Sequence, residues 1–201
     1  MKIFFIRHGE TTGDVENRYG GDYNDHLSEN GKQQSLNLAK NLSSKGIEII
    51  YSSPLIRAQE TSITLSAQLQ CEIITIPNLK ERNQYGILTG MNKDEAKQKY
   101  PNEVELLKDR LNTVEKAESY EDFSKRLADA FDEIVDNSKY VAIAIVAHGG
   151  PLRVLFRDIL KWGEISDLGD CAYVELEKID KKFKWIHSEG FNRNFQIPSL
   201  N

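Results

Sequence analysis

The sequence predicts an α/β protein built on a mostly parallel sheet with helices on both faces. Two observations predict it. Short apolar, β-branched runs bounded by turn residues recur along the chain, as strands buried on both faces do. Between them stand segments whose apolar residues repeat at helical spacing, and strands alternating with helices imply parallel pairing.

The elements follow in order. Residues 2–6 form the first strand. Leu38, Ala39 and Leu42 mark a helix after Gly31. Residues 47–51 are the second strand, and the helix over 54–69 aligns Leu55, Ala58, Ser62, Leu65 and Leu69 on one face. Residues 72–76 make a third strand. A stronger stripe, Phe123, Leu127, Ala130, Phe131, Ile134 and Val135, predicts a long helix. Strands at 141–147 and 172–176 follow, with 183–187 expected at a sheet edge. Segment 86–119 differs: it is rich in Lys, Glu and Asn, with a helix near 93–100 and no strong core stripe. A long excursion in a compact domain is usually functional or disordered. It is expected to be a lid-like insertion facing the substrate, with a merely solvated surface as the alternative. With no repeat, low-complexity tract or Gly/Ser linker, residues 1–201 read as one domain.

Composition narrows the function. Apolar residues make up 39% and charged residues 28% of 201, as in ordinary globular proteins. Lys and Arg number 26 against 31 Asp and Glu, a formal charge of −5, which argues against a nucleic-acid or membrane-surface binder. An anionic ligand then requires a local arginine pocket. The first apolar run is too short for a signal core or membrane span, so the cytoplasm is expected. Cys71 and Cys171 fit no metal or disulfide spacing and are expected to be small buried hydrophobes starting strands.

The unusual residues collect at strand ends, where open parallel sheets bind ligands. Arg7, His8 and Gly9 follow the first strand, and His148, Gly149 and Gly150 follow the strand at 141–147. Ser52, Ser53 and Pro54 follow the second strand, with Arg57 one turn into the next helix. Pro54 and Pro151 are expected at first helical positions, marking N-termini that attract anions. Arg7 and Arg57 each offer a bidentate fork to phosphate oxygens. A neutral His8 with its other nitrogen on a backbone carbonyl keeps its attacking nitrogen free, and flanking arginines oppose its protonation. Attack on phosphorus would give a phosphohistidine while Arg7, Arg57 and His148 stabilise the equatorial oxygens. The leaving alkoxide needs a proton from a carboxylic acid; Glu81 is the candidate, with Glu10 the alternative. His26 and His187 are expected to be structural.

These residues resemble the histidine phosphatase superfamily, the phosphoglycerate mutase-like family, over nearly the whole chain. Arg7-His8-Gly9-Glu10-Thr11 is similar to its signature, and Ser52-Ser53-Pro54-Leu55-Ile56-Arg57 to the block supplying the second phosphate arginine. Leu79-Lys80-Glu81-Arg82 resembles the proton-donor block, and Val146-Ala147-His148-Gly149-Gly150 the second histidine block. Leu27-Ser28-Glu29-Asn30-Gly31 resembles the start of the first helix. The resemblance implies a three-layer αβα sandwich, His8 as phosphoryl acceptor, Glu81 as proton donor, and no metal or other cofactor. It also implies a substrate-binding set of Arg7, Arg57, Gly149, Asp14 and Gly21, with Arg82, Tyr85, Lys93 and Arg110 as further contacts. Asp14 departs from the family, which often has asparagine contacting phosphate there. An aspartate facing phosphate must turn away or weaken binding.

Gly90-Met91-Asn92-Lys93 is similar to the insertion of true mutases, but Asp109-Arg110 stands where mutases carry two arginines. The expected function is hydrolysis of a small phosphorylated metabolite, of sugar phosphate or phosphoglycerate type. A cofactor-dependent phosphoglycerate mutase and a catalytically silent phospho-ligand binder are the alternatives. The partner is a small metabolite rather than nucleic acid or membrane, and the chain is expected as a monomer or homodimer.

Overall fold

The strands Lys2–Arg7 (β1), Ile49–Ser52 (β2), Glu72–Thr75 (β3), Ala142–Ala147 (β4), Ile165–Ile179 (β5) and Lys182–Arg193 (β6) form one sheet. Its order is β3-β2-β4-β1-β5-β6. β1 to β4 pair in parallel, whereas β5 is antiparallel to β1 and β6 to β5. This computed structural model describes residues 1–196; residues 197–201, the end of the expected domain, lie outside the described residues.

Strand alternation sends side chains to two cores. Ile3, Phe5, Ile49, Tyr51, Ile143 and Ile145 face one side, where Phe123, Leu127, Phe131 and Ile134 of helix α6 (Tyr120–Asn137) meet them. Phe4, Ile6, Ile50, Ala144 and Val146 face the other. There they meet Leu38 and Leu42 of α2 (Glu29–Leu42) and Ala58 and Leu65 of α3 (Ile56–Leu69). The helical stripes of the sequence are thus the contact faces of a three-layer αβα sandwich. Fully burying such side chains contributes about 1.5–3 kcal/mol each.

Several details differ from expectation. α3 begins at Ile56 with Leu55 as its N-cap, so Pro54 lies before the helix. Pro151 is the third residue of α7 (Gly149–Val154), whose N-cap is His148. β5 and β6 run well beyond the apolar cores that announced them, because their polar ends pair through a register shift between Leu168 and Tyr173. Cys171 sits inside β5 at φ 53°, not at its start, and Cys71 precedes β3; both are free thiols packed against the second core. Segment 86–119 has a small core of its own. Two short helices, α4 (Lys93–Lys99) and α5 (Pro101–Leu106), enclose Leu88, Ala96 and Val114 against Tyr19. That cluster escapes a periodicity search because it is completed by Tyr19, from outside the segment. No helix among the described residues is long and apolar enough to cross a membrane.

Candidate active site

Register brings the strand ends together. Arg7 of β1 pairs with Ala147 of β4, and Ser52 of β2 with Val146. His8, Ser53 and His148 therefore leave three adjacent parallel strands at one level. The His8 and His148 rings lie with centroids 5.0 Å apart at 60°.

The tautomer of His8 is set locally. Its Nδ1 donates to the Gly9 carbonyl at 2.7 Å, which leaves a lone pair on Nε2. Arg57 Nε donates to that Nε2 at 3.1 Å. Burial, then Arg57 and Arg7, hold the His8 pKa well below its usual value, so the ring stays neutral. His148 is held low in the same way by burial and then Arg57. Its Nε2 lies 2.7 Å from Ser53 Oγ. Ser53 Oγ already accepts from Leu55 N, so its proton is available to His148 Nε2. His148 Nδ1 then carries the ring proton, and it is buried without a partner among the described residues.

Arg57 is more constrained than a free fork. Besides Nε, its guanidinium donates to Tyr23 O (2.6 Å), Asp25 Oδ1 (3.0 Å) and Gly21 O (2.6 Å), engaging four of five donors. Arg57 and Asp25 side chains are each 4% exposed. Gly21 adopts φ +62°, and a Cβ there would lie 3.0 Å from the Tyr85 ring and 3.1 Å from Arg82 O, so glycine is needed to deliver that carbonyl. Arg7 donates to Leu168 O at 2.7 Å and pairs with Asp170 at 3.2 Å, both from the irregular stretch of β5.

Glu81 also reaches this place. Its carboxylate accepts from Arg82 N and Gly150 N, each at 2.8 Å. The free N–H at the start of α7, expected to hold a ligand, is therefore occupied by Glu81. A Cβ at Gly150 would fall 2.1 Å from Glu81 Oε1, so this glycine admits a carboxylate. Glu10, the alternative acid, is turned away: it accepts from Ser28 Oγ and, at 3.1 Å, from Asn30 Nδ2.

The other expected contacts divide. Asp14 lines the cavity, but its carboxylate caps the short helix α1 (Thr12–Val15) by accepting from Thr11 N at 3.0 Å. Arg82 is not a free anion ligand: its guanidinium is spent on Glu118 O (3.0 Å), Arg110 O (2.6 Å) and Asn112 O (3.3 Å). A buried arginine from outside segment 86–119 thus donates to three of its carbonyls. Tyr85 packs against Tyr19 with ring centroids 4.7 Å apart and planes tilted by 38°, and burial pushes its hydroxyl up to about 12. Lys93, Arg110 and Gly149 line the cavity. His26 pairs with Glu60 at 2.6 Å and His187 contacts Glu189 at 3.3 Å, both away from it. Asp25, Asp170, Arg18 and Arg153 were not singled out as site residues by sequence, and Ser53 was placed at a strand end without a role. Only Asp25 had a usable signal, an acid just before the Leu27-Ser28 block.

Together these groups line a cavity of ≈ 450 Å³ bearing seven arginines and one lysine but three carboxylates, Asp14, Asp25 and Glu81. In a chain of net charge −5 this is a concentrated local field for an anion. The model of the histidine phosphatase superfamily (branch 1) matches residues 3–186. A metal-independent phosphoserine phosphatase of Arabidopsis thaliana is 30% identical over 190 residues, covering 92% of this chain and 79% of that protein. A 2,3-bisphosphoglycerate-dependent phosphoglycerate mutase of Bartonella henselae is 32% identical over 162 residues, covering 76% of this chain and 78% of its own length. The solved structure of YhfR from Bacillus stearothermophilus aligns at TM-score 0.82 and 26% identity, over 92% of this chain and 94% of that one. Sequence blocks, sandwich and strand-end histidines agree with these matches, and the chain belongs to the histidine phosphatase superfamily, branch 1.

Proposed function

We propose that this chain is a phosphatase that hydrolyses a small phosphorylated metabolite through a phosphohistidine on His8. One observation carries it: a neutral imidazole, its Nδ1 locked on Gly9 O, turns the Nε2 lone pair toward a cavity crowded with arginines. A bound phosphoryl group takes over the Arg57 Nε–H that now rests on His8 Nε2. Nε2 then attacks phosphorus in line, the N–P bond forming as the ester P–O bond breaks. Arg7, Arg57 and the partnerless His148 Nδ1–H stabilise the three equatorial oxygens. Glu81, protonated, gives its proton to the leaving alkoxide. As carboxylate it then takes a proton from water, whose oxygen attacks phosphorus, breaks the N–P bond and releases inorganic phosphate with neutral His8. To act, Glu81 gives up one of its two backbone N–H partners.

In this proposal segment 86–119 acts as a lid-like insertion on one domain, supported by its placing Lys93 and Arg110 in the cavity lining. The protein works in the cytoplasm, as a monomer or homodimer, on a substrate of sugar phosphate or phosphoglycerate type. The Bartonella relative favours a second activity, exchange of phosphate between two hydroxyls. Interconversion of 2- and 3-phosphoglycerate outpacing phosphate release would establish that in place of hydrolysis.

His8→Ala is expected to abolish turnover of p-nitrophenyl phosphate, at least ~10⁴-fold, with an unchanged circular dichroism spectrum. Alkaline quench of the wild type during turnover should trap phosphate on the protein that survives base and is released by acid. A His8→Ala variant that keeps most of its activity would overturn the proposal.

A further inference from the structure

The proposed reaction assigns no task to the hydroxyls of Ser52 and Ser53, which close β2 at the level of the two histidines. Both serines are fully buried, as is His148. Ser53 is held from several sides. Its N–H donates to Val146 O at 2.9 Å, extending the pairing of β2 with β4. Its carbonyl accepts from Ser52 Oγ at 3.1 Å and from Gln59 Nε2, while Ser52 Oγ accepts from Ser62 Oγ at 2.8 Å. Its own Oγ has two contacts, Leu55 N at 3.3 Å and His148 Nε2 at 2.7 Å. The hydroxyl is fixed in place, and only the direction of its proton is left to settle.

Counting donors and acceptors settles it. If Ser53 donates to Nε2, the ring proton sits on Nδ1, and that N–H alone lacks a partner among the described residues. If Nε2–H donated to Ser53 instead, the serine proton and the Nδ1 lone pair would both be buried without a partner. Two unpaired buried groups cost more than one.

The two histidines are thus anchored through opposite nitrogens and by opposite kinds of partner. His8 gives its Nδ1 proton to a carbonyl, which can only accept, and Nε2 is left bare to attack. His148 meets a hydroxyl donor at Nε2, and its Nδ1 is left with a proton. Burial, then Arg57, holds the His148 pKa well below its usual value, so the ring has a single proton to place. Placed on the wrong nitrogen, it would turn a bare Nδ1 toward the phosphoryl oxygens, lone pair against lone pair.

We infer that Ser53 is a positioning residue of the reaction: by donating to His148 Nε2 it fixes that imidazole as an Nδ1–H donor to the transferring phosphoryl group. This rests on the phosphatase proposal for what His148 does, and goes beyond it in making a buried serine the determinant of the tautomer.

Ser53→Ala tests it, since it removes one oxygen and leaves His148 in place. Long-range proton–nitrogen correlation spectra of protein labelled in its histidine rings should show the wild-type His148 proton on Nδ1, the signals being assigned by their loss in His148→Ala. In Ser53→Ala the Nε2–H form should appear. Its kcat on p-nitrophenyl phosphate should fall about 10–10²-fold, approaching the loss of one transition-state donor. The substitution also strips Leu55 N of its acceptor, and a merely structural role would be felt whatever stands at position 148. A double-mutant cycle separates the two: added to His148→Ala, Ser53→Ala should change kcat less than about twofold, because a residue acting through the ring has nothing left to act on. An unchanged Nδ1–H tautomer in Ser53→Ala, or an equal loss of kcat in both backgrounds, would overturn the inference and leave the phosphatase standing. A wild type that releases no phosphate would remove the phosphatase proposal, while the spectra would still decide whether Ser53 sets the tautomer.

Discussion

The floor of the cavity, where β1, β2 and β4 end, and its wall, contributed by segment 86–119, both present arginines but hold them differently. On the floor, Arg57 is 3% exposed, clamped by Asp25 and two carbonyls, and cannot move far. On the wall, Arg110 is exposed, with an aromatic face for its only described support. Fixed donors suit charge that develops in a transition state, which must meet dipoles already in place. Loosely held cations suit recognition of a group that does not react. The difference teaches that burial and carboxylate pairing, more than residue type, distinguish the arginines to which the proposed reaction assigns chemistry from those it leaves for recognition.

The largest break in that contrast is expected from Arg57→Met. It should lower kcat about 10³-fold and, by leaving Asp25 buried without its cation, cost about 3–5 kcal/mol of stability. Adding Asp25→Asn should recover part of the stability and none of the activity, read by denaturant unfolding beside phosphate release. If the single variant melts like the wild type, Arg57 is not the clamped floor described here.

Glu81→Gln is next. With an alkyl phosphate, whose alkoxide needs a proton, kcat should fall about 10²–10⁴-fold. p-Nitrophenolate leaves without one. The variant should then release a burst equal to the enzyme present and stall as the phosphohistidine. A steady rate without a burst would remove Glu81 from the second step.

The floor was far more legible in sequence than the wall. Strand ends in a parallel sheet point the same way, so reading strands 2–6, 47–51 and 141–147 already gathered Arg7, His8, Ser53 and His148. Their partners were not legible. Asp25 reaches Arg57 across 32 residues and Asp170 lies 163 residues beyond Arg7, pairings set by tertiary register and not by local pattern. Glu81 was recognisable only through its family block, because nothing local says that it meets Gly150 N, 69 residues on. Arg82, expected as a substrate contact, lines the cavity, but nothing local announced that its guanidinium would be engaged by carbonyls. Its burial among the carbonyls of 110, 112 and 118 depends on how the insertion folds back.

Arg82 supplies a way to loosen the wall alone. Arg82→Met removes three charge-assisted bonds to carbonyls and should cost about 3 kcal/mol. The loss should be concentrated in the insertion, where amide exchange across 107–118 accelerates while β1 and β4 stay protected. Preference among substrates should blur more than hydrolysis of p-nitrophenyl phosphate slows. Equal exchange acceleration throughout the chain would show that insertion and sheet unfold as one unit.

The smallest effect on activity is expected from mild acid, and it reports on the floor. Burial, with Arg57 as the next cause, lowers both His8 and His148, so the folded protein keeps them neutral below the ordinary histidine value of about 6.5. Because the substrate's phosphate also titrates near 6, kcat at saturation is the quantity to follow. It should not show its acid limb at about 6.5 but only further down. Stability runs otherwise. The unfolded chain takes up protons at both histidines below about 6.5 that the folded chain refuses, so stability is complete above that pH and declines as pH falls toward the lowered folded values. Thermal unfolding at pH 7.5 and 5.5 should show this loss, smaller in His8→Gln, which has one buried imidazole fewer. An acid limb in kcat at 6.5, or identical pH slopes in the two proteins, would mean that the floor leaves His8 as an ordinary solvated histidine, and the nucleophile would lose its physical basis.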